Sequence, residues 1–167
     1  DYVGLQAAAD KILAVPDLAR SEVGAQIKDI KLRTDFRLAK DLEDKKDYLG
    51  AAKAYDKFAT QNTASQLSRG ARFNAAVNYE RAGQLSSAIA MYALLAAGSG
   101  KQSDDLAAKS KLFLPVLYEK TGQYQRAAVA FESNANANPK DPLAAEYHFN
   151  AAIIFDGMNM YVPATRN

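Results

Sequence analysis

Residues 79–92 read YERAGQLSSAIAMY, and residues 118–131 read YEKTGQYQRAAVAF. Both stretches share one frame: an aromatic residue, a glycine four positions later, a large apolar residue, an alanine and a second aromatic residue. An earlier, weaker copy consists of Leu42, Lys46, Tyr48, Ala51 and Tyr55, and a later one of Phe155, Asn159, Tyr161 and Ala164. The alanines at 51, 88, 127 and 164 are separated by 37, 39 and 37 residues. The chain is therefore built on an internal repeat.

Each repeat predicts a pair of helices joined by a tight turn. Before the turn, apolar residues recur at spacings of three and four, as in Leu112, Pro115, Val116 and Tyr118, which is the spacing of one helix face. Gly83 and Gly122 stand where the first helix must end, because glycine readily adopts the left-handed conformation of a helix C-cap. A second amphipathic helix follows. Alanine is abundant and β-branched residues are few, which also favours an all-α fold.

The frame resembles the tetratricopeptide repeat, whose motif has a glycine at the turn, an aromatic residue, an alanine, a second aromatic residue and a proline. The copy with Gly122 and Pro139 fits best, whereas the first copy has Lys46 in place of glycine. The resemblance implies a right-handed α-solenoid of antiparallel helical hairpins. We assign residues 1–31 to a leading helix or half-hairpin and a linker, and 32–167 to the array, with approximate repeats 32–68, 69–107, 108–144 and a truncated 145–167.

The repeats are longer than the usual ~34 residues. Lengthened repeats of this kind resemble those of bacterial envelope proteins, which favours a periplasmic or envelope location. In the leading segment we expect a helix from Tyr2 to Val15, ended by Pro16, and a second helix, capped by Asp17, that continues to about Lys46. Pro163 suits the start of a further helix, so we expect more sequence after residue 167.

Composition excludes several kinds of activity. The chain has no Cys, and its net charge of +2 gives no general attraction to nucleic acid. No apolar run approaches the ~20 residues of a membrane span. His148 is the only histidine, and residues 98–103 lack the spacing of a phosphate-binding loop. We therefore predict no catalysis, no cofactor, no metal site, no nucleic-acid partner and no membrane insertion of this segment.

The family resemblance implies that the first helix of each hairpin lines a concave groove that binds another protein or a peptide. The repeat register gives two sets of groove positions, one at 36, 73, 112 and 149 and one directly after it, together with a third set one helical turn further on. The predicted partner-binding residues are Phe36, Arg37, Lys40, Phe73, Asn74, Val77, Lys109, Leu112, Phe113, Phe149 and Asn150. Val116 and Ile153 complete the third set. The alternative is that residues at these positions pack against the next hairpin.

Two further features bear on the groove. The carboxylate clamp of some family members is incomplete here, because only Asn74 and Lys109 match two of its five positions. Arg33, Arg37, Lys40 and Lys109 could favour an acidic partner or form a solvated basic face. Pro115 should bend its helix. The bend either suits the longer repeat, or it shapes the groove or frees the Lys111 carbonyl for a ligand.

The sequence therefore favours a non-catalytic scaffold that binds a partner segment. Two alternatives stay open. The chain could be a structural spacer or self-assembly segment of a larger array, associating through its truncated repeat ends, or it could be a regulatory domain of a larger enzyme.

Overall fold

The computed structural model describes residues 2–98 and 105–158, and these residues form α-helices without any β-strand. The all-α prediction is confirmed. The helices are α1 (Tyr2–Leu13), α2 (Pro16–Arg20), α3 (Glu22–Asp44), α4 (Tyr48–Gln61), α5 (Leu67–Arg81), α6 (Leu85–Ala97), α7 (Asp105–Lys120), α8 (Tyr124–Ala137) and α9 (Ala144–Gly157).

The chain divides into two compact units, of which unit 1 ends at Ala82 and unit 2 begins at Gly83. In unit 1, α1 and α2 pack on α3, α3 packs on α4, and α4 packs on α5. In unit 2, α6 packs on α7, α7 on α8, and α8 on α9. From α3 onward, each helix within a unit thus packs on the next one along the chain.

The repeat frame places its small and aromatic residues in the core of each unit. Ala51, Ala88 and Ala127 are fully buried, which lets the neighbouring helices approach closely. The aromatic residue one turn later is buried as well, as Tyr55 in unit 1 and Phe131 in unit 2. The last copy's Asn159, Tyr161, Pro163 and Ala164 lie outside the described residues.

The turns between paired helices share one backbone conformation. Gly83 and Gly122 have φ of 73° and 71°, and Lys46 has φ of 63°. The chain closes the turn in the same way with lysine and with glycine, since Asp47 N–H donates to Leu42 O at 2.9 Å and Gln123 N–H donates to Tyr118 O at 2.8 Å. Lys46 therefore takes the role of the repeat's glycine, although it has a Cβ.

The leading segment differs from the sequence prediction. Helix α1 ends at Leu13, and Pro16 begins the short helix α2 because proline is tolerated at the first helical position. Ser21, rather than Asp17, caps α3, and its Oγ accepts from Gly24 N–H at 3.1 Å. Helix α3 then runs without interruption to Asp44, close to the expected end at about Lys46.

Pro115 lies buried inside α7, and it cannot donate to the carbonyl four residues earlier. That carbonyl, Lys111 O, accepts a hydrogen bond of 2.9 Å from Asn134 Nδ2 on α8. The suggestion that Pro115 frees this carbonyl for a ligand is therefore wrong, because the neighbouring helix already satisfies it.

Candidate protein-binding surface

The predicted partner-binding residues all lie on the first helices of the hairpins. Phe36, Arg37 and Lys40 are on α3, and Phe73, Asn74 and Val77 are on α5. In unit 2, α7 carries Lys109, Leu112 and Phe113, and α9 carries Phe149 and Asn150. Their surroundings differ between the two units.

In unit 1, the Phe36 ring packs inside its own hairpin. It meets Tyr55 at 5.3 Å and Phe58 at 5.5 Å between ring centroids, both in edge-to-face geometry. Such pairs stabilise a helix interface beyond the area that they bury. Phe36 therefore contributes to the α3–α4 contact more than to an open surface.

The predicted cations are neutralised on their own helices. Arg37 Nε lies 3.1 Å from Asp41 Oδ1, Lys40 Nζ 3.2 Å from Asp44 Oδ1, and Lys109 Nζ 2.7 Å from Asp105 Oδ2. Arg33 Nε likewise lies 2.9 Å from Asp29 Oδ2. These exposed i,i+4 pairs are worth little to stability, and each places a carboxylate beside a cation that a clamp for an acidic partner would use.

Asn74 is joined to the preceding hairpin. Its side chain hydrogen-bonds to the buried Tyr55 hydroxyl, which also donates to Glu43 Oε2 at 3.4 Å. Burial, and then the Glu43 carboxylate, raise the pKa of Tyr55 to about 12. Phe73 and Val77, on the same helix, are half-buried.

The residue at the matching register position in unit 2 is Phe113. Its ring stacks on Tyr92 with a centroid separation of 5.2 Å, and Tyr92 stands at the repeat position of Tyr55. One position thus joins successive hairpins in both units, by a hydrogen bond in unit 1 and by ring stacking in unit 2. Asn74 and Phe113 thus contact the preceding hairpin, whereas the alternative in the sequence analysis was packing against the next one.

Among the predicted groove positions, the open apolar residues lie on α7 and α9. Phe149 is 64% exposed and Ile153 is 53% exposed, and one repeat earlier Leu112 and Val116 are 46% and 43% exposed. These four residues, here called the α7/α9 strip, occupy the same two register positions on two successive first helices. Neighbouring Asn150 is half-buried.

Among the described residues, no group of three or more His, Asp or Glu side chains is placed to hold a metal ion. His148 is half-buried, and its Nδ1 has no hydrogen-bond partner within the described chain.

Two cavities involve residues that the sequence analysis did not select. A cleft of about 430 Å³ between α1, α3 and α4 is lined by residues that include Lys31, Asp35 and Lys57. A smaller cavity, of about 240 Å³ in unit 2, is lined by Glu119, Tyr124, Ile154, Gly157 and Met158. The sequence does contain a pattern that includes Glu119 of the second cavity. Acidic residues recur at one repeat position, at 43, 80, 119 and 156.

A comparison with protein-family models finds no match, and comparisons with curated proteins and with solved structures find none either. Within the described ranges, no helix is long and apolar enough to cross a membrane.

Proposed function

We propose that this chain is a non-catalytic protein–protein interaction scaffold, built as a tetratricopeptide-like right-handed solenoid, and that it binds a partner segment on the first helices of its hairpins. The repeat frame, its buried alanines and its shared turn conformation support the solenoid. The α7/α9 strip supports binding, and it is the observation on which the proposal rests.

The strip suits an interaction surface because four large apolar side chains are exposed at regular positions on adjacent hairpins. Single exposed apolar residues are ordinary, but apolar residues repeated at one register position form a patch that a partner can cover. Full burial of one such side chain is worth about 1.5–3 kcal/mol. Since each of the four is only about half exposed, a partner that covers them gains part of this value for each side chain, less the cost of association.

The test compares partner capture from a lysate of the source organism by three folded proteins. These are the wild type, the double variant Phe149→Ser/Ile153→Ser, and the control Val129→Ser, which removes an equally exposed apolar residue from α8. We expect the wild type and the control to retain the same partner and the double variant to lose it. Equal capture by all three proteins would move the binding surface away from the strip.

A second candidate is self-assembly. Val3 and Leu5 on α1 are 67% and 48% exposed, so apolar surface is also present at the start of unit 1. Light scattering over a range of protein concentrations distinguishes the two, because a partner-binding scaffold keeps a constant mass. A mass that rises with concentration, and that falls back in Val3→Ser, would favour self-assembly.

A further inference from the structure

In unit 1, helices α3 and α5 are joined by a partly exposed ion pair that also contacts an aromatic ring. Arg81, near the end of α5, donates from Nη1 to Glu43 Oε1 at 2.8 Å. The guanidinium carbon of Arg81 also lies over the Tyr48 ring, 5.5 Å from its centroid. A carboxylate and an aromatic face together bind this cation, by a charge-assisted hydrogen bond and by cation–π attraction.

Unit 2 has the same acid and the same ring, without the cation. In the repeat register Glu119 corresponds to Glu43, Tyr124 corresponds to Tyr48, and Gly157 corresponds to Arg81. Among the described residues, no basic side chain lies within ion-pair distance of the Glu119 carboxylate.

Among the described residues, no atom lies within 4 Å of the place where a Cβ on Gly157 would stand. The cavity of about 240 Å³ lies at this point, and its walls are Glu119, Tyr124, Ile154, Gly157 and Met158. We call it the Glu119 pocket.

We propose that the Glu119 pocket receives the guanidinium of an arginine side chain that belongs to a partner protein. The carboxylate supplies the charge and the acceptors, while Tyr124 and Ile154 supply apolar faces for the planar cation. Arginine fits better than lysine, because a guanidinium is flat, stacks on rings and is less strongly hydrated than an ammonium group. The arrangement in unit 1 shows that this chain binds a guanidinium with the same acid and ring.

The pocket adjoins the α7/α9 strip in register. Leu112, Val116 and Glu119 follow one another at i, i+4 and i+7, which places them along one face of α7. A partner that covers the strip would therefore present a basic residue beside its apolar residues. The sequence had suggested a partner of the opposite charge, an acidic one. Cation binding in the pocket can be tested without any partner, so its failure and the failure of the proposed scaffold function are separate results.

The first test is a titration of the ¹⁵N-labelled protein with methylguanidinium chloride, followed by NMR. The control ligand is N-methylurea, which has nearly the same shape and no charge. We expect saturable shifts at Gly157, Met158 and Glu119 with a roughly millimolar dissociation constant, as suits so small a ligand. N-methylurea should cause no chemical shift changes at these residues. The Glu119→Gln variant should lose the changes that methylguanidinium causes. Equal shifts with both ligands, or no shifts with either, would overturn the proposal.

The second test supplies the cation within the chain. Gly157→Arg should restore the unit 1 arrangement, raise the melting temperature above that of Gly157→Gln, and block the shifts caused by methylguanidinium. Gly157→Gln is the matched control, because it brings the same gain in helix propensity without the charge. The advantage of arginine should disappear in the Glu119→Gln background. An advantage that persists there would show that Glu119 does not hold the cation.

Arg166 lies outside the described residues, so both ligands are also titrated into the Arg166→Gln variant. If the chemical shift changes are the same as in the wild type, the result supports an arginine of another protein as the occupant. Shifts that appear only after Arg166 is removed would assign the pocket to the chain's own arginine and overturn the proposal of a partner cation.

Discussion

At the scale of single residues, Lys46 shows that a repeat position can impose a backbone conformation on an unfavourable side chain. Its φ of 63° matches the glycines of the other turns, although the left-handed region costs a residue with a Cβ on the order of 1–2 kcal/mol. The same turn has a compensating feature, because the Asp47 side chain caps α4 by accepting from Gly50 N–H at 2.9 Å. The two later turns have glycine but a glutamine at this cap position, with no side-chain cap bond.

Replacing Lys46 with glycine should stabilise the protein. The relief of the left-handed strain exceeds the added flexibility of the unfolded chain, so the free energy of unfolding should rise by about 0.5–1 kcal/mol. Urea unfolding measures the change. The control is Lys45→Gly, where φ is −79° and glycine should lower stability. A loss of stability in Lys46→Gly would contradict the turn conformation described above.

Tyr55 should make stability depend on alkaline pH. Its pKa is about 12 in the folded protein, against 10.0 for an ordinary tyrosine. The unfolded state therefore releases this proton first, and the stabilisation that is fully present below pH 10 should be lost as the pH rises from 10 to about 12. Urea unfolding at pH 9 and pH 11 should show a smaller pH-dependent loss for Tyr55→Phe than for the wild type. Equal losses would mean that this hydroxyl titrates normally.

The sequence predicted some of these residue roles and not others. The spacing of the frame identified Lys46 as the turn residue and Ala51 as a core residue. It could not show that Asn74 bonds to Tyr55, because the partner of a polar side chain depends on how two hairpins pack. The same holds for Arg37, whose charge is cancelled by Asp41 on its own helix.

At the scale of helices, α7 shows how a proline is accommodated within a helix. Pro115 leaves the Lys111 carbonyl without its backbone donor, and Asn134 from α8 supplies a replacement. The sequence predicted the anomaly from the position of the proline alone. It did not predict the compensating residue, which follows 19 positions later on a different helix.

Asn134→Ala should lower the free energy of unfolding by about 1 kcal/mol, because the Lys111 carbonyl loses its donor. In a Pro115→Ala background, residue 115 can donate to that carbonyl, so the same Asn134 substitution should cost much less. A double-mutant cycle by chemical unfolding measures the coupling. Strictly additive effects would show that the two residues do not compensate each other.

The leading helices mark a limit of the repeat frame. Residues before Leu32 have no clear copy of the frame, so their boundaries had to be inferred from Pro16 and from local capping residues. Asp17, the predicted cap, and Ser21 are both residue types that cap helices well, so residue type alone does not choose between them. The structure selects Ser21, because Pro16 opens a short separate helix before it.

At the scale of the whole molecule, the first helices carry some residues that hold the hairpins together and others that are open to a partner. Phe36, Asn74 and Phe113 contact their own or a neighbouring hairpin. The α7/α9 strip stays exposed, and Phe113 is itself 42% exposed although its ring stacks on Tyr92. The sequence could place both kinds of residue on the first helices, but it could not separate them, because exposure depends on side chains from other helices.

The double variant Phe149→Ser/Ile153→Ser should fold as the wild type does, because both side chains are more than half exposed. Its affinity for the partner should fall by about tenfold or more, since two central apolar contacts are lost. Circular dichroism and thermal unfolding check the fold, and a titration with the purified partner checks the affinity. A clearly destabilised double variant would place these side chains in the core instead.

The most direct test of partner binding through the strip is site-specific photo-crosslinking in the source organism. A photoreactive phenylalanine analogue is placed at position 149 in one protein and at position 129, on α8, in another. The account predicts one specific protein adduct from position 149 and none of it from position 129. The same adduct from both positions, or an adduct from position 129 alone, would contradict it.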